Sequence, residues 1–170
     1  EEIRTLFWRN SDLNFNNPTA LLRSLEEKPN KAWLRKIHEC EDEKVLKYFI
    51  KKLDLYNVIN VKETLVLLWE CCQIPDFVKK TYGNHIDVVE KVFNFLNSDR
   101  GKITNNFMHL QLIKLDKLEG NVDSLANRIA NVRTWSYVSN KNNWVENQNY
   151  WIEKTKLLED KLSDRLHEEL

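Results

Sequence analysis

Few residues in this chain stand at spacings that chemistry requires. His38 and Cys40, two positions apart, are the nearest approach to a metal pair. Two ligands on one short segment fall short of the four that a structural zinc site uses, so they read as a surface imidazole and a partly buried thiol. Adjacent Cys71 and Cys72 lie in an apolar run with no base beside them, which makes them core thiols rather than nucleophiles. With Cys40 they give an odd count of three, as expected of reduced thiols in a cytosolic-type compartment. The carboxylates of Glu41-Asp42-Glu43 and Glu168-Glu169 fall on charged helix faces and read as helix-end electrostatics, not as acid–base pairs. The three glycines, Gly83, Gly101 and Gly120, are isolated, so there is neither a phosphate-binding loop nor a dinucleotide fingerprint. The four histidines are scattered. No catalytic residue, metal ligand or cofactor is expected in this chain, and a stand-alone enzyme is the least favoured reading.

One stretch rises above this background. Arg128 to Trp144 carries Arg128, Arg133 and Lys141 together with Trp135, Tyr137 and Trp144. Cations that line a strand beside aromatic faces are what single-stranded nucleic acid requires. The structural alternative is that the tryptophans anchor the helix and Arg128 pairs locally. Arg133 and Trp135, with Arg128, Tyr137 and Lys141 behind them, are therefore candidate nucleic-acid contacts.

The elements that would position these residues read as helices. Only three Gly and three Pro occur in 170 residues, which leaves few breaks. Asn17-Pro18 is a cap followed by proline at the first helical position, ahead of Leu21, Leu22 and Leu25. A second short helix is expected around Trp33, Leu34 and Ile37, and a third opening at Glu41 and closing at Lys51-Lys52. Val61 to Gln73 is apolar nearly all round and is expected to be central. Pro75 to Tyr82 is expected to form a short turn of helix ended by Gly83. Amphipathic helices follow through Ile86 to Leu96, from a Thr104 cap, and from an Asp123 cap. A long final helix should run from about Tyr150 to the end. Glu1 to Asn16 lacks a period and is expected to be an ordered arm whose aromatics dock on the body.

The expected fold is thus all-α: a compact array of about eight helices with a long C-terminal helix and no sheet. It should form one domain over 1–170, or two packed subdomains, 1–100 and 101–170. Net charge is zero, with both signs interleaved, so any nucleic-acid contact must be local or shared with parts outside this chain. No apolar run approaches bilayer length, and the charged, aromatic start is not a signal peptide. The chain begins and ends inside patterned sequence, as expected of a piece of a longer protein.

Four blocks carry a family resemblance. They are Phe7-Trp-Arg-Asn-Ser-Asp-Leu13 with the Leu21-Leu-Arg-Ser-Leu-Glu26 helix; Leu68-Trp-Glu-Cys-Cys-Gln-Ile-Pro-Asp-Phe77; Ser124-Leu-Ala-Asn-Arg-Ile-Ala-Asn-Val-Arg-Thr-Trp-Ser-Tyr-Val138; and Leu158-Glu-Asp-Lys-Leu-Ser-Asp-Arg-Leu-His-Glu-Glu-Leu170. In this order they resemble the region after the two RecA-like domains in bacterial superfamily-two helicases of the mitochondrial-degradosome type, and they span nearly the whole chain. The resemblance implies a C-terminal accessory region that packs on an ATP-dependent RNA or RNA/DNA motor, helps enclose the single strand, and works in the bacterial cytoplasm. ATP and magnesium would belong to the motor, whose motifs this chain lacks, so it should neither hydrolyse ATP nor unwind a duplex. The alternative is a protein-docking module that recruits a ribonuclease or other partner. That module would leave an apolar surface exposed, and Phe7, Trp8 and Phe15 are where to look.

Overall fold

The computed structural model describes residues 6–170, with Asn57 described only in its backbone. The first five residues of the expected arm lie outside the described residues. The chain divides into two compact units, residues 1–73 and 74–170, where the sequence reading had set its possible division at residue 100.

The first unit runs β1 (Leu6–Trp8), α1 (Pro18–Glu26), β2 (Leu34–Lys36), α2 (Glu41–Lys52), a 3₁₀ turn (Leu55–Asn57) and α3 (Val61–Cys72). Helix α1 starts where its cap dictates: the Asn17 side chain accepts from the Ala20 N–H at 2.8 Å, and Pro18 occupies the first turn. The arm before it is tied down by Asn10, whose amide donates to Ser24 O at 3.0 Å and Glu27 Oε2 at 2.9 Å. Helix α2 has Glu41, Asp42 and Glu43 in its first turn and Lys51 and Lys52 in its last, matching both ends of the helix dipole. It buries Val45, Leu46 and Phe49 in the core that α3 completes with Leu65, Leu68, Trp69, Cys71 and Cys72. All three cysteines are unbridged.

Two expectations fail in this unit. Around Trp33, Leu34 and Ile37 there is no helix but a strand, and the unit contains a two-stranded parallel sheet where none was expected. The register is Leu6↔Leu34, Phe7↔Arg35 and Trp8↔Lys36, with Leu6 N–H donating to Trp33 O at 3.0 Å and Ile37 N–H to Trp8 O at 2.8 Å. The physical reason is length. A short helix here would have to repay its own nucleation, whereas pairing with the arm satisfies the backbone of Leu34–Lys36 at once.

The second unit is helical: α4 (Tyr82–Leu96), α5 (Asn105–Leu115), α6 (Val122–Asn140) and the long α7 (Gln148–Glu169). Residues 75–81 form no helical turn, and Gly83 lies inside the first turn of α4, because the Thr81 side chain caps that helix by accepting from Asn84 N–H at 3.1 Å. The described residues therefore hold seven α-helices, not eight. The cap of α6 is Asn121, which accepts from Ser124 N–H at 2.9 Å; Asp123 sits instead in the first turn, where its charge suits the dipole. Thr104 caps α5 as expected.

Helices α6 and α7 form a hairpin, α6 burying Leu125, Ile129, Val132, Trp135 and Val138 and α7 burying Trp151, Leu158 and Leu162. Helix α5 runs alongside α7 in the same direction. Trp151 Nε1 donates to Asn105 Oδ1 at 2.9 Å near their starts, and Lys161 Nζ to Asp116 Oδ1 at 2.7 Å near the far end of α5. Ile103 pairs with the α6–α7 loop through a single parallel bridge to Val145. No helix among the described residues is long and apolar enough to cross a membrane.

Candidate interaction surfaces

The five candidate strand contacts all lie on α6 or just past its end, and each is engaged within its own unit. Arg128 reaches back over the α5–α6 turn, where its Nη1 donates to Lys117 O at 2.8 Å and also to Glu119 O. Arg133 is exposed but paired, its Nε 2.7 Å from Glu159 Oε1 on α7. Trp135 is only 5 % exposed, and its ring stands edge-on to Phe107 at 5.5 Å between centroids. That burial assigns the ring to the core rather than to a stacking platform. Tyr137 and Trp144 hold the Lys141 ammonium, 5.7 and 5.6 Å from the ring centroids. These cations and aromatics are thus engaged with the α5–α6 turn, with α5, with α7 and with one another.

The turn that Arg128 clasps makes a strict local demand. Gly120 has φ +120°, and a Cβ there would come within 3.1 Å of Ser124 Cβ and 3.2 Å of Arg128 Nη2. Gly120→Ala is expected to cost about 1–3 kcal/mol by forcing a side chain into a backbone region that L-residues avoid. An unchanged chemical-denaturation midpoint would show that the turn relaxes freely.

Three further features could hold a ligand or partner. A cleft of about 310 Å³ lies between α4 with the loop before it and α6, lined by Lys80, His85, Lys91, Asn127, Asn131 and Trp135 among others. Its two lysines are matched by Asp76 and Asp87, so it has no net charge with which to select a charged ligand.

In the first unit, ligand atoms of Cys40, Asp42 and Glu43 lie within 4.8 Å of one another. The place a cation would take is filled by Arg9, whose Nη1 is 2.7 Å from Asp42 and 3.4 Å from Glu43. The bond to Asp42 raises the Arg9 pKa further, and the guanidinium also lies over Trp69 at 5.3 Å. Behind this cluster, burial pushes the Cys72 thiol well above its ordinary pKa, so it stays protonated and unreactive. Nothing in the sequence marks this arrangement, because Arg9 and Asp42 are far apart along the chain.

The third feature is apolar surface. In the second unit, Leu110 and Ile113 share the outer face of α5, with Ile113 54 % exposed. Leu157 of α7, 58 % exposed, lies one turn before Lys161, the residue that reaches the end of α5. The sequence places Leu110 inside with Phe107, Met108, Leu112 and Leu115, but because α5 is apolar on most sides period misplaces it: Leu110 is exposed, and only Met108 and Leu112 are fully buried. A scan of protein-family models and searches of curated proteins and of solved structures find no match to this chain.

Proposed function

We propose that this chain is a non-catalytic helical accessory region of an ATP-dependent RNA or RNA/DNA helicase, acting in the bacterial cytoplasm by packing on the RecA-like motor of its own polypeptide. The observation that carries this reading is the exposed apolar side chains on α5 and on α7. Leu110, Ile113 and Leu157 stand exposed on helices cross-tied by Trp151–Asn105 and Lys161–Asp116. A pre-organised apolar face of this kind is suited to packing on a second body, because little ordering entropy opposes the contact. The internal pairing of Arg128, Arg133, Trp135, Tyr137 and Lys141 favours packing over strand guidance by these residues. Contact with single-stranded RNA by the assembled protein would then depend on the motor as well. ATP and magnesium would act on the motor, and no residue of this chain is assigned to them.

The test is titration calorimetry of the chain against a separately expressed RecA-like pair of the family. Ile113→Lys and Leu157→Lys should each leave stability within about 0.5 kcal/mol, since they change exposed positions. Each should weaken binding about tenfold or more, because a charge is then buried in the contact. Equal affinity for wild type and both variants would remove this face from the contact and the reading with it.

A further inference from the structure

The β1–β2 pair in the first unit is an unusual object to leave uncovered. Two-stranded sheets are marginal alone, and parallel pairs are normally buried on both faces. Here Leu6 is exposed, Phe7 is 70 % exposed and Trp33 50 %. The pairing directs the N–H and C=O of Leu6 and Trp8 toward β2. By alternation, the N–H and C=O of Phe7 point to the opposite edge of β1, where the sheet has no further strand among the described residues. Register places Phe7 and Arg35 on the same face of the pair.

The stretch that carries β2 is cationic, set between Glu27 on one side and Glu39 on the other. Residues 28–38 contain Lys28, Lys31, Arg35 and Lys36 and no acidic residue. Lys28, Lys31 and Arg35 are exposed, and none has a carboxylate partner among the described residues; the Lys31 ammonium lies 5.2 Å from the Trp33 ring centroid. An open strand edge selects backbone, exposed apolar side chains select apolar side chains, and an acid-free cationic border selects negative charge.

We propose that the outer edge of β1 binds an extended, acidic segment of another protein by strand addition. The Phe7 main chain pairs with the incoming backbone. Leu6 meets its apolar residues on one face, and Arg35 meets its carboxylates on the opposite face, beside Phe7. This surface belongs to the first unit and makes no use of the α5–α7 face, so it stands or falls separately from motor packing.

The experiment is fluorescence anisotropy with the full chain and a labelled eight-residue peptide of alternating Glu and Val. A second peptide is N-methylated at alternate residues, a third has Lys in place of Glu, and a twelve-nucleotide oligouridylate serves as the competing polyanion. Two variants accompany the wild type. Phe7→Pro removes the outward N–H while sparing the bonds to β2, since proline is tolerated on a strand edge. Arg35→Glu reverses one border charge.

The Glu–Val peptide should bind, and either variant should weaken it about tenfold or more. The N-methylated and Lys peptides should not bind. Absence of Glu–Val binding with the protein at about 100-fold the peptide concentration would overturn the proposal. So would equal binding of the N-methylated peptide, or tighter binding of the oligouridylate that is lost in Arg35→Glu; the last outcome would mark a nucleic-acid surface. If Phe7→Pro fails to fold by circular dichroism, the N-methylated peptide and Arg35→Glu decide the matter alone.

Discussion

Trp135→Ala should lower the stability of the 74–170 unit by about 3–5 kcal/mol, the cost of removing a large aromatic from a filled core. The ring is 5 % exposed and meets Phe107 edge-on, and Phe107 in turn packs on Phe95 at 4.8 Å. Removing it therefore opens a void where α4, α5 and α6 converge and also takes away one aromatic pair, worth about 0.5–1.5 kcal/mol beyond area. Trp135→Phe keeps most of the volume and should cost clearly less. Urea denaturation followed by circular dichroism separates the alternatives. A stacking platform at the surface would lose nucleic-acid affinity on truncation and keep its midpoint, whereas the packing described above requires the midpoint to fall. A midpoint shift of less than about 0.5 kcal/mol would show that the ring is not core.

Trp69→Ala should have a comparable effect, about 3–5 kcal/mol, on the other unit. Helix α3 presents Leu65, Leu68, Trp69, Cys71 and Cys72 inward, and Trp69 is 7 % exposed. Its ring also supports Arg9 at 5.3 Å, the cation that neutralises Asp42 and the nearly buried Glu43. Truncation thus creates a cavity and loosens the arginine that makes the buried carboxylate tolerable. Trp69→Phe should recover much of the loss. If Trp69→Ala unfolds with the wild-type midpoint and slope, the 61–72 helix is peripheral and the core of this unit lies elsewhere.

What was legible in the sequence was whatever short-range physics decides. Asn17-Pro18, Thr104 and the charged ends of α2 announced their helices because a cap or a dipole acts within one turn. Period alone places Trp151, Leu158, Leu162 and Leu166 on the inward stripe of α7, and the first three are buried while Leu166, near the helix end, is half-buried. The strand at Leu34–Lys36 did not follow from period, because three apolar residues at helical spacing are equally compatible with a strand once a distant partner exists, and that partner, Leu6–Trp8, is nearly thirty residues away. The start of α6 was placed on Asp123 rather than Asn121 because both are good caps, and only the direction of the preceding turn at Gly120 chooses between them.

The interaction surfaces were less legible. Arg128 to Trp144 drew attention for its residue types, but type does not distinguish a cation that waits for phosphate from one already bonded to Glu159 or to a turn carbonyl. The acid-free cationic run at 28–38 was visible in the sequence and gained meaning only when β1 and β2 paired beneath it.

The two bonds between α5 and α7 have a mechanical consequence. They join Asn105 to Trp151 and Asp116 to Lys161, intervals of eleven and ten residues on two helices that run the same way. At 1.5 Å of rise per residue the anchor points are about 15–17 Å apart. Contacts that far apart oppose hinging as well as sliding of one helix on the other, the bond from buried Trp151 being the firmer and the exposed Lys161–Asp116 pair the weaker. A push along α7 would load both fastenings together instead of peeling them one after the other. A pair of helices held at two separated points in this way moves as one piece more readily than either helix would alone.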